Sequence, residues 1–389
     1  MTAEAPALVV HYAEIGLKGR NRPDFEAALR RGLERTLRAR AAKVRVLRGR
    51  LIVFLADGTD ARAAAKDASK VFGVSHVIPA HEAPREPEPL AAAIIERLRE
   101  RPAAPSFAVR VKRADKKYPI TSANLNAELG RRIIEAIPMP VCLDDPSLAI
   151  DVEILEREAW FGFERVPGVG GLPVGASGRV ACLISGGIDS PVSSWLMMKR
   201  GCQAVFVHFH SAPYTDAASQ HKVRDVVRIL AALQGKSRLW LVPFLPVQEA
   251  IVKGAPPALR VVLYRRSMVR IAAAVAAKEG ALAIATGDSL GQVASQTLEN
   301  IAAIGDASPV SILRPLIGMD KREIIDLATK IGTYEISIEE HQDCCSFLMP
   351  PHPATRAAAS ACRAAEAGLD LAALEAAAIA GAAIETIAP

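Results

Sequence analysis

The 389-residue sequence carries 48 Lys and Arg against 42 Asp and Glu, a net charge of +6, and half of its residues are hydrophobic. That length holds two or three domains and that hydrophobic content supports a sizeable core, which excludes wholesale disorder. Six cysteines without a Cys-x-x-Cys pair exclude a disulfide framework and leave a zinc ribbon without support. The charge is uneven: residues 18–50 hold 12 Lys/Arg against 3 Asp/Glu. Such an excess suits a polyanionic partner, or equally a solvated helix face. No signal peptide precedes the first strand-like run and no membrane span is expected, so the cytoplasm is the expected compartment.

In chain order, Leu8–Tyr12 reads as a strand and Asp24–Arg40 as a helix. Lys43–Arg48 and Arg50–Leu55 read as strands joined at Gly49. Asp60–Phe72 is helical, Val74–Pro79 a strand, Pro84–Pro89 a connector and Leu90–Arg99 a helix. Ser106–Lys112 is a strand, Ala123–Ile137 a helix, and Ala149–Glu156 with Ala159–Phe163 a second hairpin. This half is mixed α+β. The Gly/Pro-rich run Pro167–Gly178 marks a linker. Beyond it, apolar strands alternate with helices: Val180–Ile184, Ala204–Phe209, Leu239–Phe244, Leu282–Thr286 and Val310–Arg314, with helices that include Ser219–Gln234, Leu259–Lys278 and Lys321–Ile331. That alternation predicts a doubly wound parallel sheet, with ligands at the carboxyl ends of its strands. The alanine-rich tail from Leu369 reads as an amphipathic helix.

The chemistry concentrates at Ser185-Gly186-Gly187-Ile188-Asp189-Ser190, between an apolar strand and a helical segment with Pro191 in its first turn. Two glycines let backbone N–H groups approach an anion, the helix start adds its dipole and unpaired donors, and two serines add hydroxyls. The pattern is a phosphate cradle; its bland counterpart is a glycine turn without a ligand. The lysine-bearing loop GxxxxGK[ST] is absent. His208 and Phe209 close one neighbouring strand, Gly287 another, Gln296 follows it, and Arg265 lies on the helix before it. In a doubly wound sheet these converge on the cradle, with Arg265 as a candidate phosphate clamp. Downstream, Cys344-Cys345 are either two buried thiols or a sulfur-carrying pair, with Cys362 as a candidate resolving thiol.

The SGGxDS string resembles the PP-loop of ATP pyrophosphatases. With Glu14–Arg22 and Phe25, with Lys112-Arg113-Ala114-Asp115-Lys116-Lys117-Tyr118-Pro119, with Val207–Ser211, Tyr264-Arg265-Arg266, Thr286–Ser289 and Ala294–Asn300, the chain resembles the tRNA 4-thiouridine synthetase (tRNA sulfurtransferase) family over nearly its whole length. The resemblance implies an α/β PP-loop domain (179–389) with a helical tail after the 167–178 linker, preceded by a ferredoxin-like domain (1–59) and an RNA-binding THUMP domain (60–166). It implies ATP contacts at Leu183, Ile184, His208, Phe209, Arg265, Gly287 and Gln296, beside the cradle residues Ser185, Gly186, Gly187 and Ser190. Asp189 is the expected essential acid, holding Mg²⁺ or orienting the phosphates. Lys18, Arg20, Arg22, Lys112, Arg113, Lys116 and Lys117 are the expected tRNA contacts.

The implied reaction adenylates the C4 oxygen of uridine 8 of tRNA, and a persulfide sulfur then displaces AMP. Some family members carry that sulfur on a rhodanese-like domain. Here 44 residues follow Cys345, too few for such a domain. A cysteine desulfurase is therefore expected to load Cys344 or Cys345, with Cys345 the better match, or another sulfur donor to react directly. The family is also linked to sulfur supply for thiamine thiazole, a role expected less of a chain without the rhodanese part. A homodimer is compatible with the resemblance. The competing readings are another PP-loop tRNA-modifying enzyme and a non-catalytic RNA-binding protein.

Overall fold

The computed structural model describes residues 6–47, 49–214, 217–339 and 348–389. The chain divides into two units, Met1–Pro173 and Val174–Pro389.

In the first unit, β1 (Ala7–Tyr12), α1 (Arg22–Leu37), β2 (Ala41–Leu47), β3 (Arg50–Leu55), α2 (Ala61–Ser69) and β4 (Val74–Ala83) come first. β1 lies between β3 and β4, antiparallel to both, and β2 pairs β3 as a hairpin. Its turn needs a left-handed residue, which Gly49 supplies at φ 89°. Then follow α3 (Pro87–Arg99), β5 (Phe107–Arg113), α4 (Ser122–Ala136), β6 (Leu148–Ile154), β7 (Ala159–Gly162) and the short β8 (Val166–Pro167). The stretch expected as a connector already starts α3, because proline suits a first helical position. β5 and β6 are parallel across α4, β7 returns antiparallel, and the sheet runs β2-β3-β1-β4-β7-β6-β5 with β8 beside β4.

β4 serves both halves of this sheet: its first part pairs with β1 and β8, and His81–Ala83 with β7. α2 packs on α1, β1 and β4, so the expected boundary at 59/60 cuts through the N-terminal packing. The Gly/Pro-rich stretch is not a free linker either. Gly168, Val169 and Gly170 donate to the carbonyls of Ser75, Ser69 and Val74, while Gly175 and Ser177 donate to that of Gly201.

The second unit contains β9 (Arg179–Leu183), α5 (Asp189–Lys199), β10 (Gln203–His210), α6 (Ala217–Gln234), β11 (Ser237–Pro243), α7 (Leu245–Gly254), α8 (Arg260–Glu279), β12 (Ala283–Ala285), α9 (Leu298–Gly305), β13 (Ser311–Leu313), α10 (Lys321–Ile331), α11 (Tyr334–Ile338), α12 (Ala359–Glu366), α13 (Leu371–Ala380) and β14 (Ala383–Ile387). The sheet order is β13-β12-β9-β10-β11-β14, parallel except for β14. α8, with α7 and α13, builds the larger core, and Val192 of α5 packs on Leu316 and on Ile324 and Ala328 of α10 in a separate one. The tail, expected as helix alone, ends in β14. Its Ile-Glu-Thr-Ile run has β-branched residues at three of four positions, a strand signal that the preceding alanine run obscures. Among the described residues no helix is long and apolar enough to cross a membrane.

On the first unit's sheet, His11 of β1 stacks on His76 of β4 with ring centroids 4.4 Å apart. His11 also meets Glu153, which pairs with Arg50. Burial first, then nearby cations, lowers His11 from 6.5 to about 3, and burial, with neighbouring His11 and other cations, lowers His76 from 6.5 to about 4. Below about 6.5 the unfolded chain therefore takes up protons that the folded chain refuses. Stability is full above that pH and is lost as pH falls toward 4 and 3. We predict that the thermal unfolding midpoint drops by a few degrees per unit between pH 6.5 and 4.5, and that His76→Asn flattens this slope. A flat wild-type profile contradicts the assignment.

Candidate active site

β9 is where the sheet's chain order reverses: β10 and β11 lie to one side, β12 and β13 to the other. Adjacent loops diverge at such a point and open a crevice at the strands' carboxyl ends. There a cavity of about 240 Å³ is lined by Leu183, Ile184, Ser185, Asp189, Ser190, Val207, His208, Phe209, Arg265, Met268, Thr286, Gly287, Asp288 and Gln296. Nine of the expected ATP contacts and Asp189 thus share one cavity; Gly186 and Gly187 belong to the loop but are not among the lining residues.

Hydroxyls hold the loop's shape. The Ser185 N–H donates to Ser190 Oγ at 2.8 Å, and the two Oγ atoms are 3.1 Å apart. The Gly187 N–H donates to Ser185 Oγ at 3.3 Å. One turn on, Ser193 Oγ donates to the Thr286 carbonyl at 2.7 Å and fastens α5 to the end of β12. No side chain caps the start of α5, which leaves its first-turn donors for an anion. His208 is buried, and its Nδ1 lies 3.0 Å from the Ile184 carbonyl oxygen. Because a carbonyl only accepts, Nδ1 carries the proton there.

Gly287 has a tighter reason than room for a ligand. A Cβ there would lie 2.9 Å from the Ser190 backbone nitrogen and 3.1 Å from the Asp189 carbonyl carbon. β12 ends directly against the backbone of the cradle.

Two carboxylates organise the charge. Asp288 is 3% exposed and pairs with Arg265; Thr286 Oγ1 donates to it at 2.7 Å and Arg314 Nε lies at 3.4 Å. Burial pushes its carboxyl up, but Arg265, the Thr286 hydroxyl and Arg314 outweigh that and hold it below the usual carboxylate range. Asp189 sits in the first turn of α5. Lys321 Nζ lies 2.6 Å from its Oδ1, and Gln292 Nε2 donates to its Oδ2 at 2.9 Å. Sequence reading placed Asp189 and Arg265 but gave no role to Asp288, Arg314, Lys321 or Gln292. Asp288 stood within the Thr286–Ser289 motif and Gln292 just after it; Lys321, 132 positions from Asp189, carried no local signal.

Cys344 and Cys345 lie outside the described residues. Cys362 is 0% exposed and burial raises its thiol pKa, so it does not serve as an accessible resolving thiol. Burial pushes Cys182 up to about 12.

The expected tRNA contacts in the first unit divide by geometry. Arg22 donates to the carbonyls of Gly16 and Lys18, and Arg113 to those of Tyr118 and Ile120, so both hold loops in shape. Lys18 lies 4.9 Å over the Phe25 ring, while Arg20, Lys112, Lys116 and Lys117 are exposed. Lys116 and Lys117 line a groove of about 790 Å³ together with Arg45 and Arg157, which the sequence did not single out.

The profile of the family described as "Thiamine biosynthesis protein (ThiI)" matches residues 175–371, that of the "ThiI ferredoxin-like domain" residues 7–77 and that of the THUMP domain residues 88–164. The probable tRNA sulfurtransferase of Moorella thermoacetica is 44% identical over 365 residues, 93% of each chain. That of Thermus thermophilus is 43% identical over 357 residues, 91% of this chain and 87% of the relative. The structure of a 4-thiouridine synthetase–RNA complex with bound ATP is similar at a TM-score of 0.87 and 37% identity, covering 99% of this chain and 100% of that one.

The contact at Gly287 yields a direct test. We predict that Gly287→Ala displaces the Asp189–Ser190 backbone and weakens ATP binding about 10- to 100-fold, the range expected of an overpacked site. tRNA affinity should stay unchanged. ATP binding at wild-type strength, by calorimetry, would contradict the packing argument.

Proposed function

This chain belongs to the ThiI family of tRNA sulfurtransferases, and we propose that its cavity carries out the ATP-dependent step of making 4-thiouridine in tRNA. The observation that carries this reading is the joining of cradle, Arg265, Gly287 and Gln296 in one cavity at the sheet's switch point. The fit to ATP rests on the residues present. Leu183, Val207, Phe209 and Met268 offer an apolar wall to a base, and the cradle offers donors to phosphates. Gln296 Oε1 is buried without a partner among the described residues, as an unfilled ligand contact would be.

In the proposed sequence the C4 oxygen of uridine 8 attacks the α-phosphorus, the bond to pyrophosphate breaks, and the N3 proton is lost. This turns a poor leaving oxygen into AMP; the outer sulfur of a persulfide then attacks C4 and displaces AMP, and a second thiol cleaves the S–S bond of that adduct, leaving 4-thiouridine and a disulfide that a thiol reductant reopens. Arg265, held by Asp288, clamps phosphate charge as planar hydrogen bonds allow. Of the two carboxylates at the cavity, Asp288 is enclosed by arginines, so Asp189 is the one to hold Mg²⁺ on the phosphates or to orient them. Mg²⁺ would there offset the charge developing on the leaving pyrophosphate. The sulfur comes from a cysteine desulfurase or another donor through Cys345 or Cys344. The exposed cations of the first unit hold the tRNA, and the enzyme works in the cytoplasm, where a homodimer is compatible with this arrangement.

Two experiments test the reading. Asp189→Ala is expected to lower thiolation about 100-fold or more, as loss of a charge-stabilising group does, with tRNA affinity retained; thiolation by the variant at wild-type rate sinks the assignment. A Cys344→Ala, Cys345→Ala double variant is expected to keep adenylating tRNA and to fail in thiolation when a desulfurase with cysteine supplies the sulfur. Excess sulfide should restore it. Normal thiolation with the desulfurase would make these thiols structural.

A further inference from the structure

Between β12 and α9 the chain makes a closed loop at the mouth of the cavity. Ser289 Oγ donates to the Met319 carbonyl at 2.8 Å, and the Gly291 N–H donates to the Gln296 carbonyl at 2.8 Å. The Leu290 N–H donates to the Ile317 carbonyl at 3.2 Å. The loop is thus fastened at both ends, yet it presents apolar side chains to solvent: Leu290 is 50% exposed, Val293 52% and the adjoining Ile317 39%. Between Leu290 and Val293 stands Gln292, exposed and bonded to Asp189.

We propose that this loop is the binding site for the target uracil, with Gln292 reading its edge and the flanking apolar side chains offering a surface for its ring. The proposal rests on the reading that this chain adenylates a tRNA uridine. That reaction requires a base drawn out of its stack and set beside the nucleotide. Gln292 lies one hydrogen bond from Asp189, which lines the nucleotide cavity, so the loop continues that site toward solvent.

The edge recognition follows from the carboxylate. Asp189 is held in place at Oδ1 by Lys321, and its Oδ2 can only accept. The Gln292 amide must therefore turn Nε2 toward Asp189. What remains is one N–H and Oε1, a donor beside an acceptor. Uracil offers the complement: N3–H donates to Oε1, and O4 accepts from Nε2. This pairing places O4, the oxygen to be adenylated, on the side of Asp189 and the cavity. Cytosine offers an N4 amino donor and an N3 acceptor instead. To pair with it the amide would have to reverse and aim Oε1 at the Asp189 carboxylate, two acceptors face to face. Asp189 and Lys321 thus act as positioning residues that make Gln292 selective for uracil.

The test uses full-length enzyme, ATP, sulfide as sulfur source and tRNA carrying uridine at the target position. Gln292→Ala is expected to lower kcat/KM for uridine about 10- to 100-fold, the range of a lost bidentate base contact. ATP and tRNA affinities should stay within about threefold of wild type. Leu290→Ala with Val293→Ala should lower kcat/KM at unchanged ATP affinity. Wild-type kcat/KM in Gln292→Ala would overturn the proposal. So would a loss of ATP affinity that accounts for the whole defect, since Gln292 would then act only through Asp189. Failure of the wild-type enzyme to thiolate the uridine tRNA would instead overturn the reading beneath it.

Discussion

The second unit depends on one close approach: the backbone at the end of β12 lies against the first turn of α5, with no side chain between them at Gly287. The Ser193 hydroxyl fastens that contact to the Thr286 carbonyl, and Ser194 Oγ ties back to the Ser190 carbonyl. Of three hydroxyls on this short helix, that of Ser190 takes the Ser185 N–H in the turn after β9, that of Ser193 reaches β12 and that of Ser194 bonds the helix's own backbone. The cradle's floor is fixed before any ligand arrives, as a site that must hold a phosphate in one geometry requires. A side chain at 287 would separate the cradle from the residues that follow it, Asp288 above all.

Charge in the cavity follows from that geometry. An unpaired buried carboxylate costs several kcal/mol, and Asp288 avoids this cost by sitting between Arg265 and Arg314 with a hydroxyl donor on its Oδ2. The same three groups leave the region net positive, which suits a triphosphate. Asp189 does the reverse on the solvent side: one cation, Lys321, balances it, and Gln292 occupies the other oxygen. The cavity is thus electropositive around Asp288 and near neutral around Asp189, as the proposed meeting of an uncharged base with a charged nucleotide requires.

Much of this was legible in the sequence, and the divide is physical. The cradle, the parallel sheet and the strand-end residues were readable because strand, turn and helix each leave a local pattern, and parallel topology brings strand ends to one edge. Lys321 and Arg314 were not, since an ion pair between elements distant in sequence has no spacing to betray it. β14 was hidden because five residues cannot be told from the end of an alanine-rich helix until β11 offers an edge to pair with. Arg22 and Arg113 carried charge in basic motifs, but their guanidinium groups bind backbone carbonyls. Charge counts do not separate a cation that holds a loop from one that meets a phosphate.

The described residues on either side of Cys344 and Cys345 bear on how sulfur and nucleotide chemistry are joined. Before them, buried Lys222 donates to the carbonyls of Ser337 and Glu339 at 2.8 and 2.7 Å, and Ser337 Oγ lies 3.4 Å from the Gly187 carbonyl of the cradle. After them, the Tyr264 hydroxyl donates to the Leu348 carbonyl at 3.2 Å, one residue from Arg265 on α8. Both flanks are therefore tied to elements that form the nucleotide site. Adenylation makes a reactive ester of the base, which water would hydrolyse back to uridine if sulfur were slow to come. In the reaction proposed above, anchoring these flanks on the cradle and on the helix that carries Arg265 would keep sulfur delivery local and link the two steps through the same few elements.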